Sequence, residues 1–310
     1  VIITLIWSVI FAACSPVSAP PTPVLREAEG EEPKVTLTRP LVIAHRGARS
    51  LAPENTLAAA RKALEVGADS WELDVALTAD GELVVIHDDT LGRTCNAAEI
   101  FPGRPPWRVW EFTLAEIQTL DCGSWFVSQD PFNQIEAGNV SEADQQSYVG
   151  ERAPTLRQAL EFTRDNHWRV NVELKEQPTY DLDRSIVEKA VALIEELGMD
   201  DGHQVVVSSF EHDYLRTINI LNPRIPIQAL TSTKILDLPA YMNELGADTC
   251  NPKVTAWSPD ELAELRESGI HFNVWTVNEE DMVRNLIEAG VDGIITDFPQ
   301  NLIAILKQSE

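Results

Sequence analysis

Basic residues are scarce in this chain. Against 49 Asp and Glu stand 24 Lys and Arg, for a formal net charge of −25. Such a surface repels nucleic-acid backbones and anionic lipid headgroups, which excludes nucleic acid as a partner. A phosphate-bearing substrate is repelled for the same reason, so a site for one needs a local reversal of sign from a cation or from clustered Arg and Lys. Long apolar runs are also few. The charge-free stretch from Val1 to Ala13 is too short for an ordinary transmembrane helix and has the size of a signal-peptide core. Cysteine is sparse, with four in 310 residues. What is abundant is apolar surface: 44% hydrophobic residues suffice for one substantial core.

The tetrad Phe11, Ala12, Ala13, Cys14 resembles a bacterial lipobox, in which small residues admit a signal peptidase and the cysteine takes the lipid. Residues 1–19 are therefore expected to be a signal region cut before Cys14; a plain secretory signal cut near Ala19 is the alternative. Either way the expected location is extracytoplasmic, with membrane contact only through the N-terminal lipid. Residues 20–40, rich in Pro and Glu and without apolar periodicity, read as a disordered tether, and residues 41–310 as the folded unit. If Cys14 is lipidated, Cys95, Cys122 and Cys250 remain. A Cys95 to Cys122 bridge and three unpaired thiols are both compatible with their positions.

Apolar β-rich runs recur at Leu41 to Ala44, Ser70 to Ala76, Arg169 to Lys175, Gln204 to Ser208, Ile225 to Thr231, Asp248 to Pro252, His271 to Val277 and Gly293 to Thr296. Between nearly all of them lie segments of helical period, such as Thr56 to Val66 and Glu279 to Glu288. Helix ends repeat a glycine signature, as in Val66-Gly67-Ala68-Asp69 and Leu245-Gly246-Ala247-Asp248. Eight alternating βα units predict an α/β fold, a (β/α)8 TIM barrel. One irregularity follows the second strand: Thr78-Ala79-Asp80-Gly81 is a hairpin signal leading into Leu83 to His87. That hairpin returns His87 to the level of Leu73 and Asp74, and the excursion over about residues 89–153 reads as a cap over one side of the barrel mouth.

The ends of the first three barrel strands carry His45-Arg46-Gly47, Glu72-Leu73-Asp74 and Glu173-Leu174-Lys175, at the face where barrel enzymes build their sites. Alternate strand residues share a face, so Glu72 and Asp74 point together, as do Glu173 and Lys175. Three converging carboxylates call for a hard divalent cation, Ca²⁺ or Mg²⁺; the bland reading is a structural salt-bridge network. His45 and His87 flank the same carboxylates, in reach for general acid and base work. Arg46, a planar fork, and Lys175 supply positive charge for a phosphate.

The runs HRGARSLAPENT, WELDVALTADGELVVIHDDTLGRT, APTLRQAL, VNVELK, VWTVN and GIITDFP, in this order over Leu41 to Pro299, resemble those of the glycerophosphodiester phosphodiesterase family. The resemblance implies His45 and His87 as the acid and base pair, Glu72, Asp74 and Glu173 as ligands of one divalent cation, and Arg46 and Lys175 on the substrate phosphate. It implies that Glu54 steadies His45 or the metal shell, although Glu54 could also be an anion at a helix start capped by Asn55. Trp275 and Phe210 would line the pocket or serve as core, and Asp88 and Asn278 would orient neighbours. The expected reaction is hydrolysis of a glycerophosphodiester to glycerol 3-phosphate and an alcohol, with water or the substrate's own neighbouring hydroxyl as nucleophile. Its rivals are a phospholipase D-like or cyclising lyase on lysophospholipids and a non-catalytic phosphoester-binding lipoprotein. His167, His203, His212 and His271 match no catalytic block.

Overall fold

The computed structural model describes residues 39–178 and 180–308. The expected signal region, the lipid site at Cys14 and the tether up to residue 38 lie outside the described residues. Among the described residues nine strands form one sheet: β1 (Leu41–Ala44), β2 (Ser70–Leu77), β3 (Leu83–Val85), β4 (Val170–Leu174), β5 (Val205–Ser209), β6 (Ile227–Thr231), β7 (Thr249–Pro252), β8 (His271–Val274) and β9 (Gly293–Thr296). The order is β1-β9-β8-β7-β6-β5-β4-β2-β3, and β1 also pairs with β2 in parallel, so eight parallel strands close on themselves. This is the expected (β/α)8 barrel.

Closure follows from the residue pattern. Trp71, Leu73 and Val75 on β2, with Val170, Val172 and Leu174 on β4, join one apolar cluster with residues of the surrounding helices, such as Ile186, Val187 and Ala190. The alternate residues, Glu72, Asp74, Asn171 and Glu173, are equally buried and take the other face, the barrel interior. Asp74 and Glu173 are direct register partners, which brings carboxylates from adjacent strands side by side. Four expected strands are shorter than read: β4 loses Arg169 and Lys175, β7 loses Asp248, the run from Ile225 begins its strand at Ile227, and the run from His271 stops at Val274, after which Val277 N–H bonds back to Ile295 O at 3.0 Å.

The hairpin forms as expected. Gly81 takes φ +75, its N–H donates to Thr78 O at 2.9 Å, and β3 runs antiparallel to β2. Ile86 N–H then donates to Asp74 O at 2.9 Å, which returns His87 to the carboxyl-terminal half of β2. Beyond it the insertion builds a second apolar cluster, in which Leu91, Val109, Phe112, Ile117 and Leu120 pack with Val84 and Ile86 of the hairpin. A Cys95–Cys122 disulfide lies inside this cluster, closing the pairing left open by the sequence, and Cys250 is a buried free thiol.

Candidate active site

The turn after β1 is shaped by two left-handed residues in succession, Arg46 at φ +54 and Gly47 at φ +78. A Cβ on Gly47 would lie 2.6 Å from Ala59 Cβ, so only glycine lets the turn approach the helix Leu57–Val66 this closely. The turn aims Arg46 N–H at Glu72 Oε2, 2.9 Å away. His45, just before it, is held by Asp297 at the end of β9: Nδ1 stands 2.6 Å from Asp297 Oδ1. Asn278 fixes that carboxylate in turn, donating from Nδ2 to Asp297 Oδ2 at 2.8 Å and accepting Asp297 N–H at 3.0 Å. Burial foremost, with the charge of Arg46, lowers the His45 pKa from its ordinary 6.5 despite the Asp297 hydrogen bond. The ring is thus neutral near pH 7; Nδ1–H serves Asp297, and Nε2 keeps its lone pair. His87 has a matching anchor, with Nδ1 2.8 Å from Asp88 Oδ1.

Between the imidazoles sit Glu72, Asp74 and Glu173, each offering one oxygen within 4.8 Å of the others. Burial, then the charges of Asp74 and Glu173, raises the Glu72 pKa well above 4.5, and burial with Asp74 raises Glu173 as well. Asp74 goes the other way: burial opposes it, but Arg46, His87 and Lys175 hold it below its usual value. Lys175 Nζ lies 2.9 Å from Glu173 Oε1 and 3.8 Å from Asp74 Oδ1, and Arg46 Nε lies 3.4 Å from Asp74 Oδ2. A closed salt-bridge network would satisfy every oxygen, and this one does not. Glu72 Oε1 is buried with no hydrogen-bond partner. An orphaned carboxylate oxygen facing two more carboxylates fits a hard divalent cation in its donor chemistry.

Of the two roles expected of Glu54, contact with the carboxylate triad is made through Arg46, and Asn55 does not take the cap role expected of it. Glu54 does not touch His45. It is buried at the centre of three guanidinium groups, accepting from Arg46 Nη1 at 2.8 Å, Arg49 Nη2 at 2.6 Å, and Arg93 Nη2 and Nη1 at 2.7 and 3.1 Å. Against burial, Arg93, Arg46 and Arg49 keep Glu54 well below the usual carboxylate range. Asn55 is not the helix cap; Thr56 is, its side chain accepting from Ala59 N–H. Asn55 instead takes φ +58 and clasps Asp74, donating from Nδ2 to Oδ2 at 2.8 Å and accepting Asp74 N–H at 3.2 Å.

Arg93, from the insertion, also forks onto Asp88, with Nε to Oδ2 at 2.6 Å and Nη2 to Oδ1 at 3.0 Å. One guanidinium therefore links the anchor of His87 to the anchor of Arg46. Phe210 and Trp275 both reach the pocket, where their rings meet edge to face with centroids 5.4 Å apart, and Trp275 Nε1 donates to Asn251 O at 2.7 Å. A cavity of about 220 Å³ is lined by His45, Arg46, Glu72, His87, Lys175 and Phe210 among others. His167, His203, His212 and His271 do not line it; His212 is held by Tyr241 Oη at 2.5 Å and His271 by Asp292 Oδ1 at 2.9 Å. Asp297 and Arg93 were not singled out in sequence, and Asn55 was read only as a helix cap. Asp297 and Arg93 lie in runs already noted, GIITDFP and LGRT, whose acid and arginine carried no partner until the fold supplied one.

Residues 45–301 match the model of the glycerophosphoryl diester phosphodiesterase family. A glycerophosphodiester phosphodiesterase from Caldanaerobacter subterraneus is 35% identical over 268 residues, 86% of this chain and 98% of the relative. Among solved structures, a provisionally named glycerophosphoryl diester phosphodiesterase from Silicibacter pomeroyi superposes with TM-score 0.76 at 28% identity, covering 87% of this chain and 94% of that one. A phosphodiesterase from Oleispira antarctica, solved with its product sn-glycerol-3-phosphate, gives TM-score 0.71 at 26% identity, covering 87% and 97%. The chain belongs to the glycerophosphoryl diester phosphodiesterase family and is an enzyme of that class.

Proposed function

We propose that this family member hydrolyses glycerophosphodiesters to glycerol 3-phosphate and an alcohol, with His45 and His87 as the proton-transfer pair and Glu72, Asp74 and Glu173 as the seat of one divalent cation, Ca²⁺ or Mg²⁺. The observation that carries the reading is the pairing of two carboxylate-anchored imidazoles with a carboxylate triad whose Glu72 Oε1 is orphaned. When bound, a divalent ion supplies positive charge against the phosphoryl oxygens. Arg46 and Lys175 add donors to the same oxygens, which gives the sign reversal that a −25 chain needs. One imidazole, neutral, takes a proton from the attacking water as its oxygen bonds to phosphorus. The other, protonated, gives its proton to the departing alkoxide as the P–O bond breaks. Asp297 and Asp88 hold the Nδ1 atoms, so each ring presents Nε2 for these transfers.

The Oleispira antarctica structure supports the assignment of products, since that enzyme was solved with sn-glycerol-3-phosphate. An extracytoplasmic, lipid-anchored location belongs to the same proposal. The Cys95–Cys122 disulfide supports the oxidising compartment. Two variants test the chemistry: His45→Ala and His87→Ala should each lose at least about 10²-fold in turnover. Near-full activity in either sinks the pair. For the anchor, Cys14→Ser should release the protein from the membrane fraction, and an unchanged distribution argues against lipidation.

A further inference from the structure

A second cavity, of about 490 Å³, adjoins the catalytic one, and the two share Glu173, Lys175 and Phe210 in their walls. We propose that this larger cavity receives the leaving alcohol and selects a cationic head group, a primary or quaternary ammonium. The inference rests on the reaction proposed above and extends it to the class of alcohol.

A phosphodiester has two ester arms that leave one phosphorus in different directions. With its phosphate at Lys175, where the cavities meet, one arm points into each. The smaller, more enclosed cavity suits a glycerol unit; the larger and more open one takes the variable alcohol.

Its walls set the chemistry of that alcohol. Trp110 comes from the insertion and Phe210 from the loop after β5, and Phe210 is 40% exposed, an aromatic residue only partly covered beside the reaction centre. Ring faces attract ammonium groups. Asp89, Glu176 and Glu211 add carboxylates, and the one basic residue among the described wall residues, Lys175, is already engaged by Glu173 and Asp74 and assigned to the phosphate. The Asp89 and Glu176 carboxylates enter no ion pair among the described residues. Trp110 already carries one cation, Arg108, whose guanidinium lies 5.9 Å from the ring centroid and 3.3 Å from Glu111; Arg108 itself does not line the cavity. An anionic head group placed here meets like charges, a neutral polyol finds no countercharge to recognise, and an ammonium meets carboxylates and ring faces together.

The test compares kcat/KM for glycerophosphocholine and for the neutral-headed glycerophosphoglycerol, using the full chain with the activating ion at low ionic strength. Wild type should favour the choline ester by about tenfold, mostly through KM, and added salt should shrink the ratio. The pair Asp89→Asn with Glu176→Gln, and separately Trp110→Leu, should bring the ratio near one. Glu267→Gln with Glu288→Gln, two exposed acids outside the cavity wall, should leave it unchanged and so separate a subsite from a diffusely acidic surface. A wild-type ratio near one, a ratio that survives both cavity variants, or one that the remote pair abolishes equally overturns the subsite while the hydrolysis itself stands. Cleavage of neither ester overturns the parent reading and this inference with it.

Discussion

Replacing Arg93 with alanine separates stability from catalysis in this barrel. Its guanidinium makes four charge-assisted contacts of 2.6 to 3.1 Å, two to Asp88 and two to Glu54. Its side chain is 40% exposed, so solvent screens part of their worth, and Glu54 keeps Arg46 and Arg49 when Arg93 is gone. The expected stability loss is therefore only about 1–2 kcal/mol, a fall in Tm of a few degrees for a domain of this size. Turnover should suffer more. Asp88 loses the fork that sets its angle to His87, and Glu54 loses one of the groups that position it for Arg46, so His87 and Arg46 both loosen. Misplacement on the scale of 1 Å costs about 10²-fold, and kcat should fall by roughly that factor with a smaller change in KM. Arg93→Lys keeps the charge and one contact without the double fork, and should land between wild type and alanine. Steady-state release of glycerol 3-phosphate, paired with a thermal melt, gives both readouts. A kcat within about threefold of wild type, beside the expected Tm loss, would refute the coupling and leave Arg93 a surface tie.

Three further outcomes follow from the same geometry. Glu72 has its folded pKa raised above the ordinary 4.5, so its contribution to stability is present below that value and lost as pH rises through the folded pKa. Metal-free wild type should lose thermal stability on going from mildly acid to neutral pH, and Glu72→Gln should flatten that slope in differential scanning calorimetry with chelator present. Asp297 raises the His45 pKa against burial, so Asp297→Asn should lower it further while freeing the ring. If His45 is the base, the acid limb of the kcat/KM profile should move to lower pH as kcat drops; an unmoved limb assigns it to another group. Removing the Cys95–Cys122 bridge, which spans 27 residues, with serine at both positions should cost up to about 3.5 kcal/mol. Limited proteolysis should then cut first within the insertion; cleavage first within the barrel strands contradicts the placement of that stability.

Periodicity was enough to read the barrel, because strands buried on both faces and helices with one apolar face leave different spacings along the chain. The carboxylates of the triad were readable for the same reason: Glu72 and Asp74 alternate with Leu73 and so must turn together to the face the helices do not cover. The Asp80-Gly81 turn likewise located His87, since a tight hairpin leaves the returning strand little choice of level. What stayed hidden is chemistry made only by closure. His45 and Asp297 are 252 positions apart and meet because β1 pairs with β9 as the sheet closes. Glu54 was read as steadying His45 or the metal shell, without its arginine partners, because no local spacing shows a carboxylate reaching Arg93, 39 positions on. Asn55 misled by type: Asn favours helix caps, yet here its left-handed backbone turns the amide onto Asp74 and leaves the cap to Thr56. The disulfide was undecidable from Cys95 and Cys122 alone, since irregular insertion backbone carries no period from which to place two Cα atoms 3.9 Å apart.

The most direct test of the central claim is release of glycerol 3-phosphate from glycerophosphocholine by the full chain in EDTA, then with Ca²⁺ or Mg²⁺ restored. Loss of release in EDTA, recovery with one of these ions, and no recovery in Glu72→Gln are the predicted results. Release that persists undiminished in EDTA from ion-stripped protein would contradict a cation seated on Glu72, Asp74 and Glu173.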